Sequence, residues 1–359
     1  GTLSWYHPHV HGRVAEQLWG GLAGALVVED ETDVLSDYET HIVVLKDIDL
    51  AGSEPDPYFR SDYMRGQEGS IVMVNGQVNP VLPVRPGQVQ RLRIVNESTA
   101  RYYRLSLENH SMRLVGTDAN LLDQPYPLSE ILVTPGERID VLVRADQASG
   151  SYRLRSLPYS RGGNLPQIVT LMTISYEGSP VADVLPDLVN PDVERPDVDQ
   201  TGLPERRLTL QMRRMRGLIN GHDFDVDPYV IESEVGSYEI WRVVNRSMMD
   251  HPFHQHTNPA LILGINGGDP GYADLYTSIP GWKDTINVPA MGSVEMLVPV
   301  KSSCEPHGQL RRELATGWGL SEDILVSAGG SNEMMGALGA GSVSPGTGAV
   351  SLAGAAGLQ

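Results

Sequence analysis

The feature that most limits how this chain can fold is an internal repeat. Asn75-Gly76, Pro86-Gly87 and the run Arg91-Leu92-Arg93-Ile94-Val95-Asn96-Glu97-Ser98 return as Asn220-Gly221, Val235-Gly236 and Trp241-Arg242-Val243-Val244-Asn245-Arg246-Ser247. The Asn-Gly turns stand 145 residues apart and the Asn-x-Ser turns 149 apart, about one domain length. Each copy reads as a hairpin turn, a loop closing at glycine, and a strand ending at asparagine. Short β-rich runs bounded by Pro, Gly and Asn fill the rest, at Ile42–Leu45, Ile71–Val74, Arg91–Val95, Ile139–Val143, Val169–Ile174 and Glu239–Val244. Strands at this spacing predict an all-β chain of sandwiches, and the duplication selects two homologous ones. Pro180 to Pro204, rich in Pro, Asp and Val, reads as the linker between them. One early helix is expected over Arg13–Leu18, ended by Gly20-Gly21, with a strand at Ala25–Val28 after it.

The 359 residues allow two or three domains with real cores. A net charge of -18 disfavours nucleic acid and anionic lipid, both of which need a basic patch that is absent. No stretch approaches the roughly 18 apolar residues of a spanning helix, so no membrane partner is expected. Cys304 is the single cysteine, which excludes an intrachain disulfide. The chain opens at Gly1 without an initiating Met or a signal peptide, and processing or truncation is the expected reason.

Six of the ten histidines fall in two clusters, Trp5-Tyr6-His7-Pro8-His9-Val10-His11-Gly12 and Asp250-His251-Pro252-Phe253-His254-Gln255-His256. On a strand, side chains repeat direction every second residue, so His7, His9 and His11 are expected on one face, as are His254 and His256. A single His-x-His is usually a chance surface pair. Two clusters far apart in sequence, each containing His-Pro, are more informative. Imidazole is a strong ligand for Cu, Zn, Fe and Ni, and several imidazoles gathered from distant positions need a metal to offset their ordering entropy. The pairing points to copper. His41, His110, His222 and His307 stand alone and read as surface or hydrogen-bonding residues.

Gly1-Thr2, Trp5-Tyr6-His7-Pro8-His9, the run Gly21 to Val28, His251-Pro252-Phe253-His254-Gln255-His256, and Gly281-Trp282-Lys283-Asp284-Thr285 with Val288-Pro289 together resemble the multicopper oxidases, the laccases and bilirubin oxidases among them. The resemblance runs from Gly1 to about Val300. It implies tandem cupredoxin-like Greek-key β-sandwiches: residues 1–35 as the remnant of a first domain, 36–180 as the second, 181–204 as linker, 205–330 as the third with an aberrant C-terminal part, and 331–359 as a disordered tail. It also implies copper in two places. A type 1 copper takes electrons singly from a phenol, aromatic amine or metal ion, and a trinuclear type 2/type 3 cluster uses four of them to reduce O2 to water. By match of motif, His251 would ligate type 1 copper, His254 type 2, and His256, His7 and His9 the type 3 pair. His11 lies beyond the ligand pair and is a candidate for an outer position. Asp250, preceded by Met248 and Met249, stands where members of the family contact the electron donor; it either accepts a proton as the donor is oxidised or belongs to a solvated turn. The implied location is periplasmic or extracellular.

Two departures from the family pattern stand out. The family contributes four His-x-His pairs to the trinuclear site, whereas this sequence holds two, the earliest pair falling before Gly1. After Val300 the family continues to a His-Cys-His motif, but here the text is Lys301-Ser302-Ser303-Cys304-Glu305-Pro306-His307. No histidine flanks Cys304, Pro306 would interrupt a central strand, and type 1 copper needs a His, His and Cys set with a weak axial ligand. Glu333-Met334-Met335-Gly336 resembles the stretch after the lost motif, so a reading-frame or gene-model error over about 301–332 is expected; resequencing the coding DNA decides it. The five carried-over ligands are too few for turnover, and the chain as written is expected to bind copper weakly without oxidase activity. The alternatives are a copper-binding protein without turnover and a copper-free cupredoxin scaffold, such as the structural or division-associated members of the superfamily. Retention of both His clusters argues against the scaffold.

Overall fold

The computed structural model describes residues 2–10, 12–30, 32–59, 61–163, 165–213, 216–222 and 233–300, with 308–309, 316 and 325–326 beyond them. The expectations attached to His11, Cys304, His307, Met334 and the tail lie outside the described residues. The chain is all-β, and its repeat is visible as two copies of one sheet. In the first copy the strands lie in the order Ile71–Val74, Glu39–Ile48, Val89–Asn96, Arg138–Arg144, Met112–Gly116; in the second, Arg216–Ile219, Glu205–Arg213, Tyr238–Asn245, Ser293–Pro299, Ala260–Asn266. In both, the second and third strands run parallel and the remaining neighbours antiparallel. A parallel pair cannot be joined by a tight hairpin, so the chain must cross over.

The repeated residues build the same local devices. Asn75 and Gly76 have φ of 51° and 75°, and Asn220 and Gly221 have 52° and 83°, the left-handed pair of a type I′ turn. Asn75 Oδ1 accepts the Val44 amide and Asn220 Oδ1 the Thr209 amide, both at 2.8 Å. At the other end, Asn96 accepts the Ser98 amide and donates to the Arg101 and Val133 carbonyls. Asn245 does the same with the Ser247 amide and the carbonyls of Met249 and Val288. One acceptor and two donors are needed at once, which asparagine supplies and aspartate does not.

A five-stranded sheet, in the order Ile131–Val133, Tyr103–Leu107, Ser151–Leu157, Val169–Tyr176, Val81–Val84, closes the first sandwich. In the second half, His251–His254 pairs with Thr285–Val288 as a separate ribbon. One apolar cluster, from Val43 to Val298, runs through both halves, so they share a core. The Val89–Asn96 strand is buried at every position. Its outward side carries Arg91, covered by ion pairs to Asp140 and to Asp33 on the preceding segment. Residues 181–204 contain no helix or strand but are tied down: the Val181 and Val189 amides donate to Pro86 and Asp123 carbonyls, and the Arg195 guanidinium to those of Ile262 and Ile279.

The N-terminal segment differs from expectation in one respect. The helix is Val14–Trp19 and the following strand Gly24–Val28, each within a residue of its predicted place. The first strand, however, is Thr2–Tyr6, and it ends before His7 rather than carrying the histidines. Pro8 has no amide hydrogen to continue the ladder. Likewise the second histidine strand stops at His254, and the backbone turns at Thr257, whose φ is 70°. His256 therefore sits on a bend, not on the strand face.

Candidate metal centre

Although the strand placement differs, the imidazoles meet. Ring centroids are 6.0 Å apart for His7 and His9, 5.7 Å for His9 and His256, and 5.0 Å for His256 and His254. Four rings from segments about 245 residues apart thus form one contiguous row. Trp5 lies against its end, tilted by 36° with its ring centroid 4.5 Å from that of His7.

Hydrogen bonds decide which ring nitrogen is on offer. His7 Nδ1 lies 2.9 Å from the Pro8 carbonyl, and His254 Nδ1 lies 3.0 Å from the Asp284 carbonyl and 3.1 Å from Thr285 Oγ1. A carbonyl only accepts, so each Nδ1 carries the hydrogen and each Nε2 keeps its lone pair. Such outer hydrogen bonds are what orients metal-binding histidines. Burial, aided by the neighbouring histidines, pushes His256 down to about 4 and lowers His7, whose bond to Pro8 opposes the shift. Both are therefore neutral near pH 7, the form that binds metals.

Residues i and i+3 of a strand face opposite ways, so His251 points away from His254. Its Nε2 is 2.7 Å from Ser247 Oγ, which itself donates to the Met249 carbonyl. Nε2 is then the donor and Nδ1 the nitrogen with the lone pair. Burial, with Arg161 nearby, pushes His251 down to about 4 against the pull of Asp250. It lies in the wall of a small cavity with Met64, Tyr102, Met212, Met249 and Asp250. Asp250 is only 6% exposed, so it does not belong to a solvated turn. Its Oδ1 accepts the Ala290 amide at 2.8 Å, and its Oδ2 accepts Asn287 Nδ2 at 3.0 Å and the Tyr159 hydroxyl. Of the isolated histidines, His41 bonds Gln90, and His110 bonds the Glu108 carbonyl and Tyr176.

Sequence reasoning missed the buried charges behind the row. Lys283 Nζ sits 2.6 Å from Glu137 and 3.0 Å from Asp118, all three side chains fully buried. Burial pulls Lys283 down, but the two carboxylates overcome it and raise it. Arg138 grips Asp284 through two contacts of 2.6 Å and holds its carboxyl well below the usual range against the effect of burial. The Gly281-to-Thr285 motif is thereby pinned residue by residue. Asn120 brackets Trp282 and Pro280, and a Cβ on Gly281 would strike Thr117. The only signal for this in the sequence was the motif itself, since its partners lie 146 to 167 positions away.

Among the described residues no three His, Cys, Asp or Glu side chains are arranged to enclose one ion. The row nevertheless suits copper in donor type and in the nitrogens that His7 and His254 offer, and it makes up two of the four His-x-His pairs the resemblance implies. The residues fit the metal as part of a shared site.

Two models described as multicopper oxidase match residues 29–179 and 194–302. The cell division protein FtsP of Photorhabdus laumondii is 31% identical over 84% of this chain and 64% of its own length. The multicopper oxidase mco of Staphylococcus aureus is 26% identical over 79% and 61%. The chain thus spans less than two thirds of these relatives. Among solved structures, the McoA multicopper oxidase of the hyperthermophile Aquifex aeolicus superposes with a TM-score of 0.72 at 30% identity, covering 86% of this chain and 70% of that one. A multicopper oxidase from Campylobacter jejuni, described as a metallo-oxidase, gives 0.73 at 26%, covering 84% and 67%. With its duplicated cupredoxin-like sheets and its row of imidazoles, this chain belongs to the multicopper oxidase family.

Proposed function

We propose that the chain is the copper-holding part of an oxidase that couples one-electron oxidation of a phenol, aromatic amine or metal ion to four-electron reduction of O2 to water, in a periplasmic or extracellular setting. The observation that carries this is the row His7, His9, His256, His254, gathered from two segments far apart in sequence. Copper, when bound there, supplies the one-electron steps and the site for O2. Within this reading residues 36–180 and 205–330 are the second and third sandwiches, and 1–35 the end of a first.

The chain's own groups have separate tasks. His7 and His254 offer Nε2 while carbonyls hold Nδ1, and His9 and His256 complete the row. His251, on the opposite face of the same strand, would hold the second copper, and it lines the cavity in which a donor would dock. Asp250 lines that cavity. With three donors already on its oxygens, it is placed to receive a proton by way of Tyr159 rather than to touch the donor itself.

A second reading, a structural protein without turnover, is favoured by the similarity to FtsP and by the lack of a closed three-ligand group among the described residues. Copper retention after desalting, together with oxygen uptake on a phenolic donor, separates the two. The expected result is that wild type keeps copper, His254→Ala/His256→Ala does not, and oxygen uptake stays at the level of free copper, because five carried-over ligands are too few for turnover. Uptake above that level would make the chain an active oxidase. No retained copper would favour the scaffold.

A further inference from the structure

Arg138 begins the Arg138–Arg144 strand and its side chain is 4% exposed. All five of its N–H groups have acceptors. Nε donates to the Leu3 carbonyl at 3.1 Å. Nη1 donates to the Gly136 carbonyl at 3.0 Å and to Asp284 Oδ1 at 2.6 Å. Nη2 donates to Asp284 Oδ2 at 2.6 Å and to the Asp118 carbonyl at 3.1 Å. Two of these acceptor residues stand next to the imidazole segments: Leu3 on the Thr2–Tyr6 strand before His7, and Asp284 just before the strand that pairs with His251–His254. The Asp284 carbonyl and Thr285 Oγ1 hold His254 Nδ1, and Thr285 Oγ1 in turn donates to Asp284 Oδ1 at 2.8 Å.

From this we infer that Arg138 is a positioning residue of the copper centre, whose single guanidinium sets the distance between the His7–His9 segment and the His254–His256 segment. The inference rests on the reading that these imidazoles hold copper. A planar fork with every donor engaged has no freedom to swing, and it transmits the place of one segment to the other. Lysine has the charge but not the fork. Metal-binding constellations tolerate errors of only about 0.5 Å, so a bracket of this kind acts on the site and not merely on the fold.

The test uses the full chain with selectively labelled histidines, in two measurements. One is the through-space contact between the His9 and His256 rings in metal-free protein. The other is copper affinity by competition with a chelator. Arg138→Gln is expected to abolish the ring contact and to weaken copper binding by roughly 10- to 100-fold, the range seen when outer hydrogen-bonding partners of metal ligands are removed. Arg138→Lys is expected to fall between Arg138→Gln and wild type. Leu142→Ala, which empties a fully buried site on the same strand, is the stability control; it should lower the melting temperature while leaving ring contact and affinity intact. The proposal is overturned if Arg138→Gln keeps both, or if Leu142→Ala changes both as much. Should Arg138→Gln fail to fold, Asp284→Asn keeps the shape, removes one charged acceptor and is read in the same way. If wild type binds no copper, the functional reading fails, while the ring contact still decides the role of Arg138.

Discussion

His251, the ligand proposed for type 1 copper, is a buried imidazole held below its ordinary pKa. Its folded value of about 4, set first by burial and then by the Arg161 charge, lies below the ordinary 6.5. Protonation thus favours the unfolded chain. The associated stability is complete above pH 6.5 and is lost as pH falls through about 4, a loss of roughly 3 kcal/mol at 1.36 kcal/mol per unit. His256 adds a loss of the same sign over the same window. Urea midpoints of the metal-free protein at pH 7 and pH 4.5 should show the decline, and His251→Gln should flatten part of it; an equal decline in the variant would contradict the assignment. Lys283 makes a second residue-level prediction. Replacing it with Met leaves Glu137 buried without its lysine and Asp118 with only the longer contact to Arg138 at 3.6 Å, and should destabilise by roughly 3–5 kcal/mol in equilibrium unfolding.

Among the elements, the repeated asparagines are the clearest link from sequence to structure. Asn96→Ala and Asn245→Ala each strand one amide and two carbonyls at the buried end of a strand. Each should cost roughly 1–3 kcal/mol. Since they share no partner, the double variant should be additive within about 0.5 kcal/mol in urea unfolding. The strands, both Asn-Gly turns and the early helix were legible because their signals are local: alternation, left-handed turn residues, a glycine stop. Where the histidine strands end was not legible, because Pro8 and Thr257 act on the backbone just where the metal motif suggests continuity. Arg138 and Glu137 were opaque for another reason. Their partners are far off in sequence, and a Gly-Glu-Arg stretch opening a strand carries no mark of what it will meet.

For the molecule as a whole, metal and fold are linked. A copper ion bound only by the folded chain adds stability by mass action, about 2.7 kcal/mol at 100 times its dissociation constant. The melting temperature should rise with copper, fall back with a chelator, and stay unmoved in His254→Ala/His256→Ala. The shared core and the cross-half charges at Lys283 and Arg138 explain why such a gain is felt by the entire chain and not by one ribbon. In the proposed reading, imidazoles from the His7–His9 and His254–His256 segments hold copper between them. Anomalous diffraction at the copper edge from copper-soaked crystals tests it most directly. A peak is expected among His7, His9, His254 and His256; copper bound only elsewhere, or no peak, would mean that these imidazoles do not hold it.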